Sequence, residues 1–171
     1  MRYPIGALLV LSLAGRLGAQ TPAPSDQRQD RTLNLTAYVE LLRSDVRTSK
    51  VAIITEVMGF TEAEDAAFWP IYREYDLEMS KLADERVGLI RDYAADYGTL
   101  TDEDAAALAS RALDLEARRT AARAKCYERV KTALSPRTAL RFLQVEHQLQ
   151  LLIDLQIAAA LPVAPAAKDP R

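Results

Sequence analysis

The stretch that decides the fold is FTEAEDAAFWPIYREYDLEMSKLADERVGLIRDYAADY, residues 60–97. Large apolar side chains recur in it at alternating steps of four and three residues, with a single interruption at Arg86. They are Phe68, Tyr72, Tyr75, Met79, Leu82, Leu89 and Tyr93. This spacing is typical of one side of a long helix that packs against another helix. The stretch therefore predicts a fold built on helix–helix packing.

The composition favours an all-α protein with one folded domain. The chain has 171 residues, of which 49% are hydrophobic and only six are glycine. That hydrophobic content suits a globular protein, while so few glycines disfavour the many tight turns of an all-β fold. The formal net charge of −2 argues against a nucleic-acid-binding protein, because such a protein needs a concentrated basic surface.

The first residues are typical of an export signal. Residues 1–19 begin with a basic position, Arg2, continue with an apolar core over 5–14, and offer a cleavage point after Ala19. The alternative is an uncleaved membrane anchor, but the apolar core is too short to cross a bilayer as a helix. We therefore expect an exported protein of the bacterial periplasm, with no stable membrane span once the signal is removed.

The remaining chain divides by composition into three parts. Residues 20–32 are polar and contain two prolines, which predicts a disordered tether. Residues 33–161 carry the helical patterns and form the predicted helical domain. Residues 162–171 contain three prolines among small residues and predict a disordered tail.

Local patterns mark where helices begin. Thr61 and Thr101 are each followed three positions later by an acidic residue, Glu64 and Asp104, which is the spacing of a capping box. Ser135 precedes a proline, a combination that suits an N-cap followed by a first-turn proline. We expect Gly59 and Gly98 to end the preceding helices in a left-handed conformation. The predicted helices cover about 35–58, 62–97, 102–134 and 136–160.

The second and third helices are predicted to form a long antiparallel hairpin, so that the four-helix arrangement is elongated. Alanines dominate the apolar stripe of the third helix, which lets the aromatic stripe of the second approach closely. Pro70 is expected to kink the second helix. The fourth helix is apolar on nearly every side, which indicates that it either fills the centre of the bundle or lies in a dimer interface.

One group of side chains is a candidate surface for binding apolar polypeptide segments. It combines aromatic residues of the second helix with arginines of the third: Trp69, Tyr72, Tyr75, Arg119 and Arg123. The alternative for the aromatic residues is ordinary core packing. The alternative for the arginines is a solvated helix face with local ion pairs.

Other chemistry finds little support in the sequence. His147 is the only histidine and lacks neighbouring ligands at helical spacing, so we expect it to be structural or solvent-facing. Cys126 is the only cysteine, and it is either a buried apolar residue or the site of an intermolecular disulfide. No nucleophile stands with a base, and no glycine-rich phosphate loop is present. We therefore expect no enzyme activity, no cofactor and no metal.

Three helix-start segments carry a family resemblance: Phe60-Thr61-Glu62-Ala63-Glu64, Leu100-Thr101-Asp102-Glu103-Asp104 and Leu134-Ser135-Pro136-Arg137-Thr138. Each is similar to the Leu-Thr-x-x-Gln motif of the Spy/CpxP superfamily of periplasmic proteins, with another residue in place of the glutamine. The resemblance implies an antiparallel helical dimer whose concave surface holds partly folded polypeptides or damps an envelope-stress sensor. The histidines of the zinc-linked members have no counterpart here, and the chain resembles a separate branch.

The leading hypothesis is thus an exported, non-enzymatic helical protein that binds unfolded or partly folded polypeptides without ATP, as a chaperone or stress-response accessory. The first alternative is a structural homodimeric bundle without a client. The second alternative is a metal-responsive sensor that uses His147 and carboxylates.

Overall fold

The computed structural model describes residues 49–166, and this part of the chain is all-α. Helix α1 is described over 49–58, and its predicted earlier turns lie outside the described residues, as do the predicted export signal and tether. The bounds of the next three helices agree with the predicted ones to within one residue. They are α2, Glu62–Asp96; α3, Asp102–Ala133; and α4, Pro136–Ala160.

Side-chain caps fix the starts of these helices as predicted. The Thr61 hydroxyl accepts a hydrogen bond from the Glu64 amide, and the Glu64 carboxylate accepts one from the Thr61 amide at 3.0 Å. The same reciprocal pair links Thr101 and Asp104 at the start of α3. Capping satisfies amide groups that would otherwise lack partners in the first turn. The three junctions are therefore encoded locally.

The two junction glycines differ. Gly59 takes a positive φ of 57° after α1, as predicted, and its amide donates to the Thr55 carbonyl. Gly98 does not take a positive φ, so the prediction of a left-handed ending there is wrong. The chain instead leaves α2 through a tight turn, in which the Thr99 amide donates to the Asp96 carbonyl at 2.9 Å. A turn of this kind needs no left-handed residue.

Helices α2 and α3 form the predicted antiparallel hairpin. At 35 residues, α2 is about 52 Å long, and it continues through Pro70 as a single helix. Four ion pairs join its outer side to α3, and we call them the ladder: Glu74–Arg129, Glu78–Lys125, Glu85–Arg118 and Asp92–Arg111. Between successive rungs, α2 advances by 4, 7 and 7 residues while α3 recedes by the same steps. The ladder therefore follows the repeat of a coiled coil in constant register.

The main core lies at the end of the hairpin where α1 and α4 join it. Phe68 is fully buried there, and its ring meets the ring of Phe142 on α4 edge-on at 5.1 Å between centroids. Ile54 of α1 is also fully buried. A smaller cluster of Val87, Ile90 and Ile157 lies nearer the hairpin tip. The predicted stripe of α2 thus faces α4 and α1 as well as α3.

Replacement of Gly59 by alanine should destabilise the fold by about 1–2 kcal/mol, because a Cβ disfavours the left-handed conformation. A clash is not the cause, since a Cβ at this position meets nothing within 4 Å. The matched control is Gly98→Ala, whose site is equally open but does not have a positive φ. It should be neutral or slightly stabilising. Urea unfolding measures both, and equal losses would contradict the assignment.

Candidate functional site

The predicted aromatic surface is for the most part core. Tyr72 and Tyr75 are each only 3% exposed, because both rings pack edge-on against Phe142 of α4. The interpretation of these two tyrosines as a polypeptide-binding surface is therefore wrong for this conformation, and the alternative of core packing is right. Trp69 is partly buried beside them, and its indole Nε1 donates to the Asp65 carboxylate at 2.6 Å.

The two arginines of the predicted surface, Arg119 and Arg123, lie in different surroundings. Arg119 is buried, and its guanidinium donates to Glu116 at 2.7 Å and to Gln150 at 2.9 Å. Burial alone would lower the pKa of Arg119, but the carboxylates of Asp154 and Glu116 outweigh it and raise the pKa. Arg123 is half-buried and lies 3.3 Å from the His147 ring, measured from Nη1 to Nδ1. Arg119 is therefore part of the contacts with Glu116 and Gln150, whereas Arg123 lies beside His147.

A buried polar junction occupies the place where the helices meet, and its centre is Glu146 of α4, which is 1% exposed. The carboxylate oxygen Oε1 accepts three hydrogen bonds, from Lys50 Nζ at 2.8 Å, Tyr75 Oη at 2.7 Å and Gln150 Nε2 at 3.2 Å. The other oxygen, Oε2, is buried and has no hydrogen-bond partner among the described residues. Helices α1, α2 and α4 are thus joined through one oxygen atom.

The lysine of this junction is held by rings as well as by charge. Lys50 Nζ lies 5.7 Å from the ring centroids of both Tyr72 and Tyr75, within the range of cation–π attraction. Lys50 is itself buried. A buried ion pair gives little net stability but makes any arrangement that separates its charges costly. The junction therefore fixes how α1 sits against α2 and α4.

The junction extends along α4 as a chain of polar contacts. Gln150 connects Glu146 to Arg119, and Arg119 connects to Asp154, which also pairs with Arg86. This explains the one interruption in the apolar stripe of α2, because Arg86 turns toward a carboxylate on α4. The polar chain thus occupies positions that apolar residues would otherwise fill.

The ionisable groups in and beside the junction have a structural role and not a reactive one. Burial and the Glu146 carboxylate raise the pKa of the Tyr75 hydroxyl, so Tyr75 stays protonated and donates. Burial, followed by the Glu146 carboxylate, also raises the pKa of Cys126 to about 12. A thiol with so high a pKa is a poor nucleophile at neutral pH. Cys126 is a buried free cysteine, so the alternative of an intermolecular disulfide does not fit this conformation.

Sequence reasoning missed Lys50 and Glu146, although both carry a signal. Glu146 stands four residues after Phe142 and three before Leu149, at the spacing of the buried side of α4. Lys50 stands four residues before Ile54 on the buried side of α1. Opposite charges at core positions of two helices are the pattern that indicates a buried ion pair.

Helix α4 buries one side and exposes the other. Its buried side faces the core, while Leu151, Leu152 and Leu155 are 53%, 60% and 67% exposed. We call these three side chains the leucine face. The expectation that the fourth helix fills the centre of the bundle is therefore wrong, because α4 packs on the α2–α3 hairpin from one direction. The alternative, a dimer interface, stays a prediction.

A second apolar surface lies at the hairpin tip. A cavity of about 300 Å³ opens there between α2, α3 and the segment 161–166 that follows α4. Its lining is almost entirely apolar and includes Leu89, Tyr93, Leu108 and Ala109. We call it the tip pocket.

His147, the residue on which the metal-sensor alternative depends, is exposed on α4. Within residues 49–166, no group of three or more histidine, cysteine, aspartate or glutamate side chains is arranged to hold a metal ion. None of the helices in this same range contains an apolar segment that is long and hydrophobic enough to cross a membrane.

Comparison with known proteins adds no relative. No protein-family model, no curated protein and no solved structure matches the chain.

Separating the buried ion pair should be costly. Lys50→Met leaves the Glu146 carboxylate buried without its cation and should destabilise the fold by about 3–5 kcal/mol. The double variant Lys50→Met/Glu146→Gln should recover most of this loss, because it removes both charges and keeps an oxygen to accept from Tyr75. The control is Lys125→Met in the exposed ladder, which should cost less than about 1 kcal/mol. Equal losses of unfolding free energy for Lys50→Met and Lys125→Met, measured by urea unfolding, would contradict a buried ion pair at the junction.

The Cys126 thiol should resist modification in the folded protein. At pH 8 a thiol-specific disulfide reagent should react only after denaturant is added, because the thiol is buried and its pKa is raised. The raised pKa means that the unfolded chain loses this proton first, so the contribution of Cys126 to stability falls as pH rises from about 8.5 toward 12. Wild type should therefore lose more stability than Cys126→Ala over that range. Rapid labelling without denaturant would contradict the burial.

Proposed function

We propose that the protein is an exported helical factor that binds apolar segments of other polypeptides without nucleotide, as a chaperone or envelope-stress accessory. The observation that carries the proposal is the leucine face of α4. Three leucines more than half exposed lie within five residues of one another on an ordered helix. Exposed apolar surface of this kind, when contiguous, commonly marks a protein interaction site.

The spacing of the leucine face suits a polypeptide partner. Leu151 and Leu155 are one helical turn apart, and Leu152 lies beside them. A partner that presents apolar side chains at similar spacing would remove all three from water, with a gain of about 25 cal/mol for each Å² buried. No hydrogen-bonding pattern is needed for this, so the surface suits clients of varied sequence.

The rest of the described molecule supports a passive binding role. Five of the seven cations of α3 are engaged in the ladder or in the polar chain of α4, and the buried Tyr75 and Cys126 keep their protons. Export to the periplasm is supported by the signal-like residues 1–19 and by the similarity to the Spy/CpxP helix starts. A periplasmic factor works without ATP, which agrees with binding by surface complementarity alone.

A second candidate is a homodimeric bundle whose leucine faces cover each other. The same three exposed side chains favour it, since a two-fold interface brings the same helix face of both copies together. In that case the leucines would be hidden from clients in solution. Sedimentation of wild type and a leucine-face variant separates this candidate from the first.

Suppression of client aggregation tests the proposal. Light scattering of a chemically denatured client, diluted without nucleotide, should fall markedly at a stoichiometric amount of wild-type protein. Leu151→Ser/Leu155→Ser should lose at least about half of this effect, because two apolar contacts of the face are removed. The control is Leu113→Ser, which alters a leucine 72% exposed on α3 and should keep the effect.

An absence of suppression by wild type would reject the client-binding function. Equal suppression by wild type and Leu151→Ser/Leu155→Ser would reject the leucine face as the site of client binding. A wild-type dimer that becomes monomeric in the leucine-face variant, together with no suppression, would establish the structural bundle instead.

A further inference from the structure

The tip pocket is separate from the leucine face and has its own chemistry. It lies where the hairpin extends past the end of α4, so that α2 and α3 lack a third helix beside them. Alanines such as Ala109 and Ala112 leave space on the α3 side, and Leu89 and Tyr93 bound it on the α2 side. The predicted apolar stripe of the hairpin is therefore incompletely filled at this end, and the gap is the pocket.

A short non-helical segment that follows α4 forms one side of the pocket. Residues 161–166, which we call the strap, leave α4 in a non-helical conformation, and Leu161 and Ala164 contribute to the lining. The Tyr93 hydroxyl donates to the Pro162 carbonyl at 2.7 Å, and the Tyr97 hydroxyl donates to the Val163 carbonyl at 3.0 Å. The two tyrosines are one helical turn apart, so together they hold the strap against α2. The pocket is thus bounded on three sides.

The surroundings of the pocket are acidic. Asp96, Asp102 and Glu103 are exposed in and next to the turn that contains the lining residue Leu100. The nearby cation Arg111 is paired with its ladder partner Asp92 at 2.8 Å. The exposed Arg91 lies about 160° around α2 from the lining residues Leu89 and Tyr93, so it is on the other side of the helix. The apolar lining therefore opens beside a surface of negative charge, which repels anionic ligands such as a fatty-acid carboxylate and attracts cationic ones.

We propose that the tip pocket binds an apolar side-chain cluster of a polypeptide segment that is flanked by lysine or arginine. The apolar side chains enter the space between α2, α3 and the strap, and the flanking cations lie against Asp96, Asp102 and Glu103. This inference rests on the proposed function in that the occupant is a polypeptide client. It adds a second contact site and a charge preference that the leucine face does not supply.

Peptide binding to the full chain tests the proposal by fluorescence anisotropy. The probe is a labelled KKLIALLKK peptide, and its matched control is EELIALLEE, which has the same apolar core and opposite flanking charges. The lysine-flanked peptide should bind at least about tenfold more tightly at low salt, because the acidic surroundings favour it. The preference should shrink at about 1 M salt, where the screening length falls to about 3 Å.

Variants locate the binding. Ala109→Phe places a large side chain in the pocket and should weaken the lysine-flanked peptide by about tenfold. Its control is Ala121→Phe, at an exposed alanine of α3 outside the pocket lining, which should leave binding unchanged. Asp96→Lys should reduce the charge preference while it keeps the helix intact, because a cation suits the carboxyl end of α2. Circular dichroism confirms that each variant is folded.

The outcomes separate this inference from the proposed function. Equal binding of the two peptides, or unchanged binding to Ala109→Phe, would overturn the tip pocket, even where wild type still suppresses client aggregation. Peptide binding that is lost in Ala109→Phe but kept in Leu151→Ser/Leu155→Ser would support the pocket, even where aggregation suppression fails. Loss of self-association in Ala109→Phe, with no peptide binding to wild type, would overturn it in favour of a second copy as the occupant.

Discussion

The constant antiparallel register of α2 and α3 is the constraint on which the rest of the molecule depends. The buried side of α3 includes the small residues Ala122 and Cys126, and α3 packs directly against α2. The ladder repeats outside this contact with equal steps on both helices. Individually these exposed pairs contribute little to stability. Because they share one register, however, a slip of the hairpin would break all of them at once.

The polar junction adds orientation to a core that is otherwise apolar. Aromatic and aliphatic side chains tolerate several arrangements of packed helices with similar free energies. A buried carboxylate does not, because it must meet its cation and its hydrogen-bond donors in one geometry. Glu146 meets Lys50 and Tyr75 in the described arrangement. The junction thus selects one placement of α1 and α4 on the hairpin.

Most of the fold was predictable from the sequence because it is locally encoded. The capping residues Thr61, Thr101 and Ser135 lie within a few positions of the groups they satisfy, and the bounds of three helices follow from them. The ending at Gly98 was not predictable in the same way. Glycine permits a left-handed conformation without requiring it, and the turn at Thr99 formed by another route.

The candidate site was less predictable, since it depends on which helix faces meet. A stripe of aromatic residues looks the same whether a third helix covers it or solvent does, and α4 decided this for Tyr72 and Tyr75. The cross-helix partners of Arg119 and Arg123 lie on α4 and depended on the register between α3 and α4, which periodicity alone leaves open. The leucine face and the tip pocket occur where no other helix covers α4 or the hairpin, or where the covering helix ends. The spacing of residues along one helix does not show where that cover ends.

The placement of negative and positive charges in the ladder affects how identical chains meet. Every rung takes its acid from α2 and its base from α3. Two copies of α2 laid side by side would confront carboxylate with carboxylate, and two copies of α3 would confront cation with cation. Such encounters are repulsive, so nascent chains crowded near one another are steered away from pairing like with like. Pairing of α2 with α3 is thereby favoured over pairing of either helix with its own copy.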